Sequence, residues 1–223
     1  MKQMVIFLLL LANIVLFGQD TVRIQFYPLF QNRILQLNAQ NYMQNDTVII
    51  ETLKFYLAGI TFFKESKPVG TTYKKHYLID FETPSSLMLQ IYIPQRYDSI
   101  VFTIGVDSLT NISGVFGEDL DPTNGMYWTW QTGYINFKME GKSQHCTSRN
   151  KRFQWHIGGY QHPYNTIRQV KLKTKNKNIR IGVFLDELVK QMHITKNYEI
   201  MSPNQKAVEI SQIISQVFRI YEQ

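Results

Sequence analysis

Residues 117–141 of this 223-residue chain read GEDLDPTNGMYWTWQTGYINFKMEG, and the stretch joins a turn-rich loop to a strand. Gly, Asp, Pro and Asn fill its first half, and Trp128 and Trp130 follow one residue apart. In its second half, residues 134–140 alternate between apolar and polar side chains, which is the period of a strand with one buried face. Core packing is the simplest interpretation of the two tryptophans. Because they lie beside turn residues, outside the alternating run, a chemical role is the alternative.

The same alternation recurs through most of the chain. It covers residues 22–26, 87–93 and 99–105, and residues 48–63 read as one long strand bent near Gly59. Clusters of Pro, Gly, Ser and Asp separate these runs and indicate turns. Short strands at this spacing predict an all-β fold, an antiparallel β-sandwich or barrel-like domain.

The pattern changes toward the end of the chain. A short helix is predicted directly after the last alternating run, and Ser202, which is followed by proline, has the pattern of a second helix start. Apolar residues at helical spacing then extend through residues 208–221. We therefore predict a β domain at residues 19–185 and a C-terminal α-helical appendage at residues 186–223.

Residues 1–18 have the pattern of a secretory signal peptide. A lysine at position 2 precedes an apolar run at residues 5–17, and Gly18 supplies a small residue before Gln19. The run of 13 residues is shorter than the ~20 residues that span a bilayer, which favours a cleaved signal over a signal anchor. We expect cleavage near Gly18/Gln19 and export to the periplasm or cell surface of a Gram-negative bacterium.

The charge and cysteine content restrict the partners. The net charge is +7, and much of the excess lies in residues 168–180, which read as two strands around a Lys/Asn turn. A solvated hairpin that discourages edge pairing is the simplest interpretation, and a docking surface for an acidic partner or anionic lipid is the alternative. Export argues against a nucleic-acid partner. The single cysteine, Cys146, has no partner for a disulfide, so packing alone must hold the core.

The sequence contains none of the common catalytic motifs, such as a nucleophile elbow, a phosphate-binding loop or the helix of a zinc protease. We therefore predict that the protein is not an enzyme. Among the histidines, His162 and His193 are predicted to be solvated. His156 shares the polar face of the predicted strand at residues 152–157, which favours a surface or hydrogen-bonded histidine over a metal ligand.

Four sequence blocks change this interpretation of His156. They are GVDSLTNISG at residues 105–114, the stretch at 117–141, FQWHIGGYQHPYN at 153–165 and, more weakly, HYLIDF at 76–81. Together, and in this order, they resemble the methanobactin-associated copper-binding family, the MbnP-like domain. The resemblance implies an exported, mainly β protein that binds copper.

The resemblance also implies the chemistry of the site. Trp128 or Trp130 would be oxidised to kynurenine by a partner dihaem enzyme of the MauG/cytochrome c peroxidase type, and the sequence does not distinguish the two. Indole offers only an N–H donor, whereas kynurenine carries an aryl amine and a carbonyl that can face a metal. His156 matches the family histidine and is the first expected ligand, with His76 as the second. A site with few ligands, including imidazole, favours Cu(I).

The resulting hypothesis is an exported copper-binding protein that captures or delivers copper. Its partners would be the dihaem enzyme and an outer-membrane copper-transport component. The alternative is a metal-free β-sandwich adhesion or binding module that keeps the family fold. An unmodified tryptophan pair buried in the core would favour that alternative.

Overall fold

The computed structural model describes residues 20–43, 46–93, 96–130 and 133–222, so the predicted signal peptide lies outside the described residues. The helices are α1 (Ser108–Ile112), α2 (Leu185–Met192) and α3 (Gln205–Gln216), and short 3₁₀ turns lie at Pro84–Leu87, Glu118–Leu120 and Pro122–Asn124. The strands are β1 (Asp20–Phe30), β2 (Arg33–Ile34), β3 (Gln40–Met43), β4 (Asp46–Lys64), β5 (Lys67–Thr71), β6 (His76–Asp80), β7 (Met88–Ile93), β8 (Ser99–Ile104), β9 (Tyr127–Trp128), β10 (Gly133–Ser143), β11 (Arg152–Gly158), β12 (Arg168–Lys173), β13 (Asn178–Phe184), β14 (Glu199–Ile200) and β15 (Phe218–Ile220). In the described part of the chain, every helix is too short or too polar to cross a membrane.

The strands form two sheets that share one apolar core. The larger sheet has the order β12-β8-β4-β10-β11-β14, with β3, β5 and β6 also paired to β4 and β9 paired to β10. The smaller sheet has the order β15-β13-β1-β2, with β7 also paired to β1. Rings from both sheets meet between them, as where Phe26 of β1 packs edge-on against Phe55 of β4 with centroids 5.7 Å apart. The predicted β-sandwich is therefore confirmed, although β1–β13 and β11–β14 pair in parallel.

Strand β4 is the centre of the larger sheet. Its first half pairs with β10 and its second half with β8. The register against β8 shifts between Ala58 and Thr61, and Gly59 in that interval has a φ of +57°, a conformation that favours glycine. The predicted bend near Gly59 is confirmed.

The basic stretch at residues 168–180 does not form the predicted hairpin. Strand β12 pairs with β8 in the larger sheet, whereas β13 pairs with β1 and β15 in the smaller one. The connection between them, residues 174–177, therefore crosses from one sheet to the other. The prediction was wrong because period-two alternation identifies the buried face of a strand but not its pairing partner.

The C-terminal segment contributes strands as well as helices. Helix α3 begins at Gln205, where Asn204 accepts a hydrogen bond from Ala207 N at 2.8 Å, so the predicted start at Ser202 was wrong. The helix ends at Gln216, and β15 then pairs with β13. The apolar stripe predicted through residues 208–221 thus belongs to a helix followed by a strand.

A second, smaller core covers the outer face of the larger sheet. Tyr56 points to this face because its β4 neighbours, Phe55 and Leu57, belong to the main core. The segment 106–128 lies over Tyr56 and supplies most of the cluster, whose buried members are Tyr56, Val106, Leu120, Met126, Trp128, Tyr134 and Ile135. The segment 106–128, which is rich in turn residues, therefore folds as a lid on the sheet. Trp128 is the largest side chain that this lid contributes to the second core.

Candidate functional site

Trp128 lies on a strand that pairs with β10, and its ring packs against a glycine of β11. Strand β9 pairs with the start of β10, Trp128 opposite Gly133, and the indole is only 4% exposed. Gly158, the last residue of β11, lies against the six-membered ring: a Cβ at this position would be 2.7 Å from Cζ3. Gly158 therefore permits the close approach of the indole to β11.

The indole N–H of Trp128 is buried and finds no acceptor among the described residues. An unpaired buried donor costs about 1–3 kcal/mol, so such a group in a well-packed core calls for an explanation. Next to Trp128 lies a pocket of about 190 Å³ whose side-chain wall consists of Trp128, Tyr160, Gln161, His162, Tyr164 and Pro203. The unpaired indole is thus part of an open pocket as well as of the core.

Trp130 has the opposite environment. Its side chain is 64% exposed, yet its ring centroid lies 5.9 Å from that of Trp128 with the planes inclined at 47°. The two tryptophans of the WTW motif therefore form a contacting pair with one ring in the core and one at the surface. The structure distinguishes two residues that the sequence leaves equivalent.

His156 is buried and hydrogen-bonded, not solvated. Its Nε2 lies 2.6 Å from Glu140 Oε1 on the neighbouring strand. Lys138 Nζ lies 3.3 Å from the same oxygen and donates to the carbonyl of Gly125 at 3.2 Å. The hydrogen bond from His156, with Lys138 adding attraction, lowers the pKa of Glu140 to about 2 despite its burial. The strand pattern predicted that His156 is either a surface or a hydrogen-bonded histidine, and the structure shows a hydrogen-bonded one. Its role as a metal ligand stays a prediction.

His156 lies on the face of β11 against which Trp128 packs. Residues 156 and 158 are two apart on a strand, so both point to the same face with Cα atoms about 7 Å apart, and Gly158 touches the indole. The contact with Glu140 uses Nε2 of His156, so Nδ1 is the nitrogen that could bind a metal. A carboxylate behind one imidazole nitrogen is the usual arrangement when the other nitrogen binds a metal. The donor set of His156 therefore fits a metal ligand.

His76 lies at the start of β6 and holds a helix cap. It is buried, and its Nε2 lies 2.8 Å from Asp107 Oδ2. Asp107 caps α1 by accepting from Thr110 N at 3.0 Å and from the Thr110 hydroxyl at 2.7 Å. Burial alone would raise the pKa of Asp107, but the hydrogen bonds from Thr110 and His76 outweigh it and the pKa is lowered. These contacts join β6 to α1.

The structure does not bring His76 and His156 together. His156 lies opposite Lys138 of β10, Lys138 lies opposite Lys54 of β4, and β6 follows on the far edge of β4. Three strand spacings separate the two backbones by about 14 Å, too far for two imidazoles to bind one ion. Within the described ranges, no group of three or more His, Cys, Asp or Glu side chains could hold a metal. The two predicted ligands therefore belong to separate places in the fold.

His162 was the histidine overlooked in the sequence. It is exposed, as predicted, but it lines the same pocket as Trp128. Its loop is fixed by Thr166, whose N–H donates to the Gly159 carbonyl at 3.0 Å and whose hydroxyl accepts from Asn136 Nδ2 at 2.9 Å. The only signal in the sequence was that His162 lies inside the block FQWHIGGYQHPYN.

Comparisons with known proteins identify the family and the fold. The sequence profile of the MbnP family matches residues 19–202. The chain belongs to the MbnP family. The fold is similar to that of MbnP from Methylosinus trichosporium, with a TM-score of 0.60 at 15% sequence identity over 77% of this chain and 78% of that chain. No curated protein matches the sequence.

Membership of the MbnP family confirms the resemblance that the four sequence blocks suggested. The match to the Methylosinus trichosporium protein, at 15% identity, supports the fold alone. The profile match runs past residue 185 and includes α2 and β14, so the family domain contains part of the segment that we described as an appendage.

Proposed function

We propose that this MbnP-family chain is an exported copper-binding protein whose site forms around Trp128. The observation that supports the proposal is that Trp128, whose buried indole N–H has no partner among the described residues, is also one of the side chains that line an open pocket. Copper held there would be captured or delivered as cargo, which is a binding function and not an enzymatic one. The predicted signal peptide supports a location in the periplasm or at the cell surface.

Trp128 is the tryptophan that we propose to be oxidised to kynurenine. Oxidative cleavage of the indole C2–C3 bond, with dioxygen or peroxide as the oxidant, followed by hydrolysis that releases C2 as formate, would turn the unpaired N–H into an aryl amine beside a carbonyl. Both groups can face a metal. The adjoining pocket gives the opened ring space that the rest of the core lacks. A dihaem enzyme of the MauG/cytochrome c peroxidase type would carry out this oxidation, and Trp130 would remain an unmodified surface neighbour.

We propose that two imidazoles complete the site at Trp128. His156 lies on the face of β11 whose Gly158 meets the indole and it contacts Glu140, whereas His162 lines the pocket. Imidazole and few ligands in total favour Cu(I). His76 is assigned to the cap of α1 and not to copper, because its contact with Asp107 holds it on another part of the sheet.

The test is co-expression of the chain with its dihaem partner, followed by mass spectrometry of tryptic peptides and by copper analysis. We expect the mass gain of kynurenine on Trp128 and copper that stays with the protein through gel filtration. Trp128→Phe should abolish both, and Trp130→Phe, the matched control, should keep both. An unmodified Trp128 in protein that retains no copper would overturn the proposal.

One observation favours a metal-free binding module as the second candidate function. The segment after β8 exposes a run of apolar side chains, of which Leu109 is 78% and Ile112 is 65% exposed. Exposed apolar patches of this kind often mark protein interaction sites. Unmodified tryptophans together with a partner that is lost on Leu109→Ser would support this candidate, whereas Leu109→Ser should leave copper retention unchanged if the leading proposal holds.

A further inference from the structure

One end of the sandwich carries a cluster of basic side chains. Three connections meet there: the turn between β4 and β5, the residues before β8, and the crossing between β12 and β13. A groove between them is lined by basic side chains and two carboxylates, and β12 adds two exposed lysines at its edge. We call this surface the basic end and define it by Lys64, Arg96, Lys171, Lys173, Lys175 and Lys177.

The Asp98 carboxylate of the basic end is used inside the fold. Asp98 accepts from Glu65 N at 2.6 Å and from the Ser99 hydroxyl at 2.7 Å, and its carbonyl accepts from Thr174 N at 2.9 Å. Hydrogen bonds from Glu65 and Ser99 lower the pKa of Asp98, and the nearby charges of Lys171 and Lys64 add to the effect. Asp98 therefore ties the three connections together, and among the described side chains that line the groove the basic ones outnumber the two carboxylates, Glu65 and Asp98.

The first strand begins at the same end. Val22 lines the groove, and Arg23 N donates to the Lys177 carbonyl at 2.7 Å. Tyr92, which lies opposite Thr21 and is 60% exposed, places an aromatic side chain near this end. Tyrosine and clustered basic residues are both typical of surfaces that meet lipid headgroups.

We propose that the basic end docks on the surface of an anionic phospholipid membrane. Lipid phosphates would lie against the lysines of β12 and of the crossing to β13, with β1 pointing its first residue toward the bilayer. The interaction would rest on electrostatic attraction between these lysines and the lipid phosphates. It is independent of the copper proposal, since the basic end shares no residue with the pocket at Trp128.

Vesicle co-sedimentation tests the proposal. Protein recovered from cells, with its first residue fixed by mass spectrometry, is mixed with vesicles of phosphatidylglycerol and phosphatidylcholine or of phosphatidylcholine alone. The test variant is Lys171→Gln/Lys173→Gln/Lys175→Gln. The control variant, Arg149→Gln/Lys151→Gln/Lys196→Gln, loses the same charge near the opposite end of β4, where Val48 pairs with Ser143.

We expect binding to the anionic vesicles only, and its loss when salt rises from ~0.1 M to ~1 M, where the Debye length falls from about 10 Å to about 3 Å. Each lysine at an anionic surface contributes about fivefold to partitioning, so the test variant should bind roughly a hundredfold more weakly while the control binds like wild type. Equal losses in the two variants, or wild-type binding by the test variant, would overturn the proposal. Capture on immobilised polyglutamate without vesicle binding would overturn it in favour of an acidic protein partner.

Discussion

Gly158 and Trp128 approach so closely that a methyl group on Gly158 would lie 2.7 Å from Cζ3 of the indole and 2.7 Å from the Tyr134 carbonyl oxygen. Neither neighbour can move freely, because one is a buried ring and the other is backbone. Gly158→Ala should therefore lower the free energy of unfolding by about 1–3 kcal/mol and shift the tryptophan fluorescence. Urea denaturation followed by fluorescence measures both.

Gly117→Ala is the control for this prediction. A Cβ at Gly117 would meet nothing within 4 Å, and its φ of −91° suits any residue. Its free energy of unfolding should match that of wild type within error. A Gly158→Ala protein as stable as the control would show that Trp128 is less tightly held than the structure indicates.

The Glu140–His156 pair should give stability a specific dependence on pH. The pKa of Glu140 in the folded chain, about 2, lies below its ordinary value of 4.5. The ionised carboxylate therefore stabilises the fold fully above pH 4.5, and this contribution is lost as the pH falls from 4.5 toward 2. Glu140→Gln should cost about 2 kcal/mol at neutral pH, and its difference from wild type should narrow across that window.

The measurement is urea denaturation of wild type and Glu140→Gln at a series of pH values. Glu199→Gln, an exposed change on β14, should stay parallel to wild type throughout. A constant difference between wild type and Glu140→Gln from neutral pH to pH 2 would contradict the assignment.

His76→Gln should separate structure from metal binding. It breaks the contact with Asp107 and weakens the cap of α1, so the free energy of unfolding should fall by about 1–2 kcal/mol. Copper retention by the folded variant should equal that of wild type. His193→Gln, at an exposed helix end, should change neither quantity. Loss of copper from well-folded His76→Gln would return His76 to the ligand set.

Asn136 should be the most sensitive polar residue near the pocket. Its buried side chain accepts from Val106 N at 3.0 Å and donates to the Thr166 hydroxyl at 2.9 Å, linking the lid over the sheet to the loop that carries His162. Asn136→Ala would leave a buried backbone N–H unpaired and should cost about 2–3 kcal/mol in thermal or urea unfolding. Asn150→Ala, in an exposed turn, should be neutral. A neutral Asn136→Ala would mean that water replaces these contacts.

The strands could be predicted from the sequence because they depend on local alternation. Residues 87–93 and 99–105 became β7 and β8, with bounds shifted by about one residue. Strand pairing could not be predicted, because it depends on contacts that are distant in sequence. The alternating residues 168–180 therefore gave two correct strands and a wrong hairpin.

The family resemblance named Trp128 or Trp130, His156 and His76 as site residues, and their roles stay predictions. The burial of His156 was not predicted. The alternation in the sequence placed His156 on a polar face of β11. Only the folded structure shows that its side chain is buried and hydrogen-bonded to Glu140. His162 was missed because an exposed histidine beside proline has no periodic signal, and only the path of the loop brings it to the pocket.

The parallel pairing of β1 with β13 has a consequence for biogenesis. Arg23 lies opposite Asn178, so the first strand waits for nearly the last part of the polypeptide before it gains this neighbour, and β15 then completes the sheet. Contacts so remote in sequence form slowly. A nascent chain with this topology cannot complete its smaller sheet until its synthesis is almost finished.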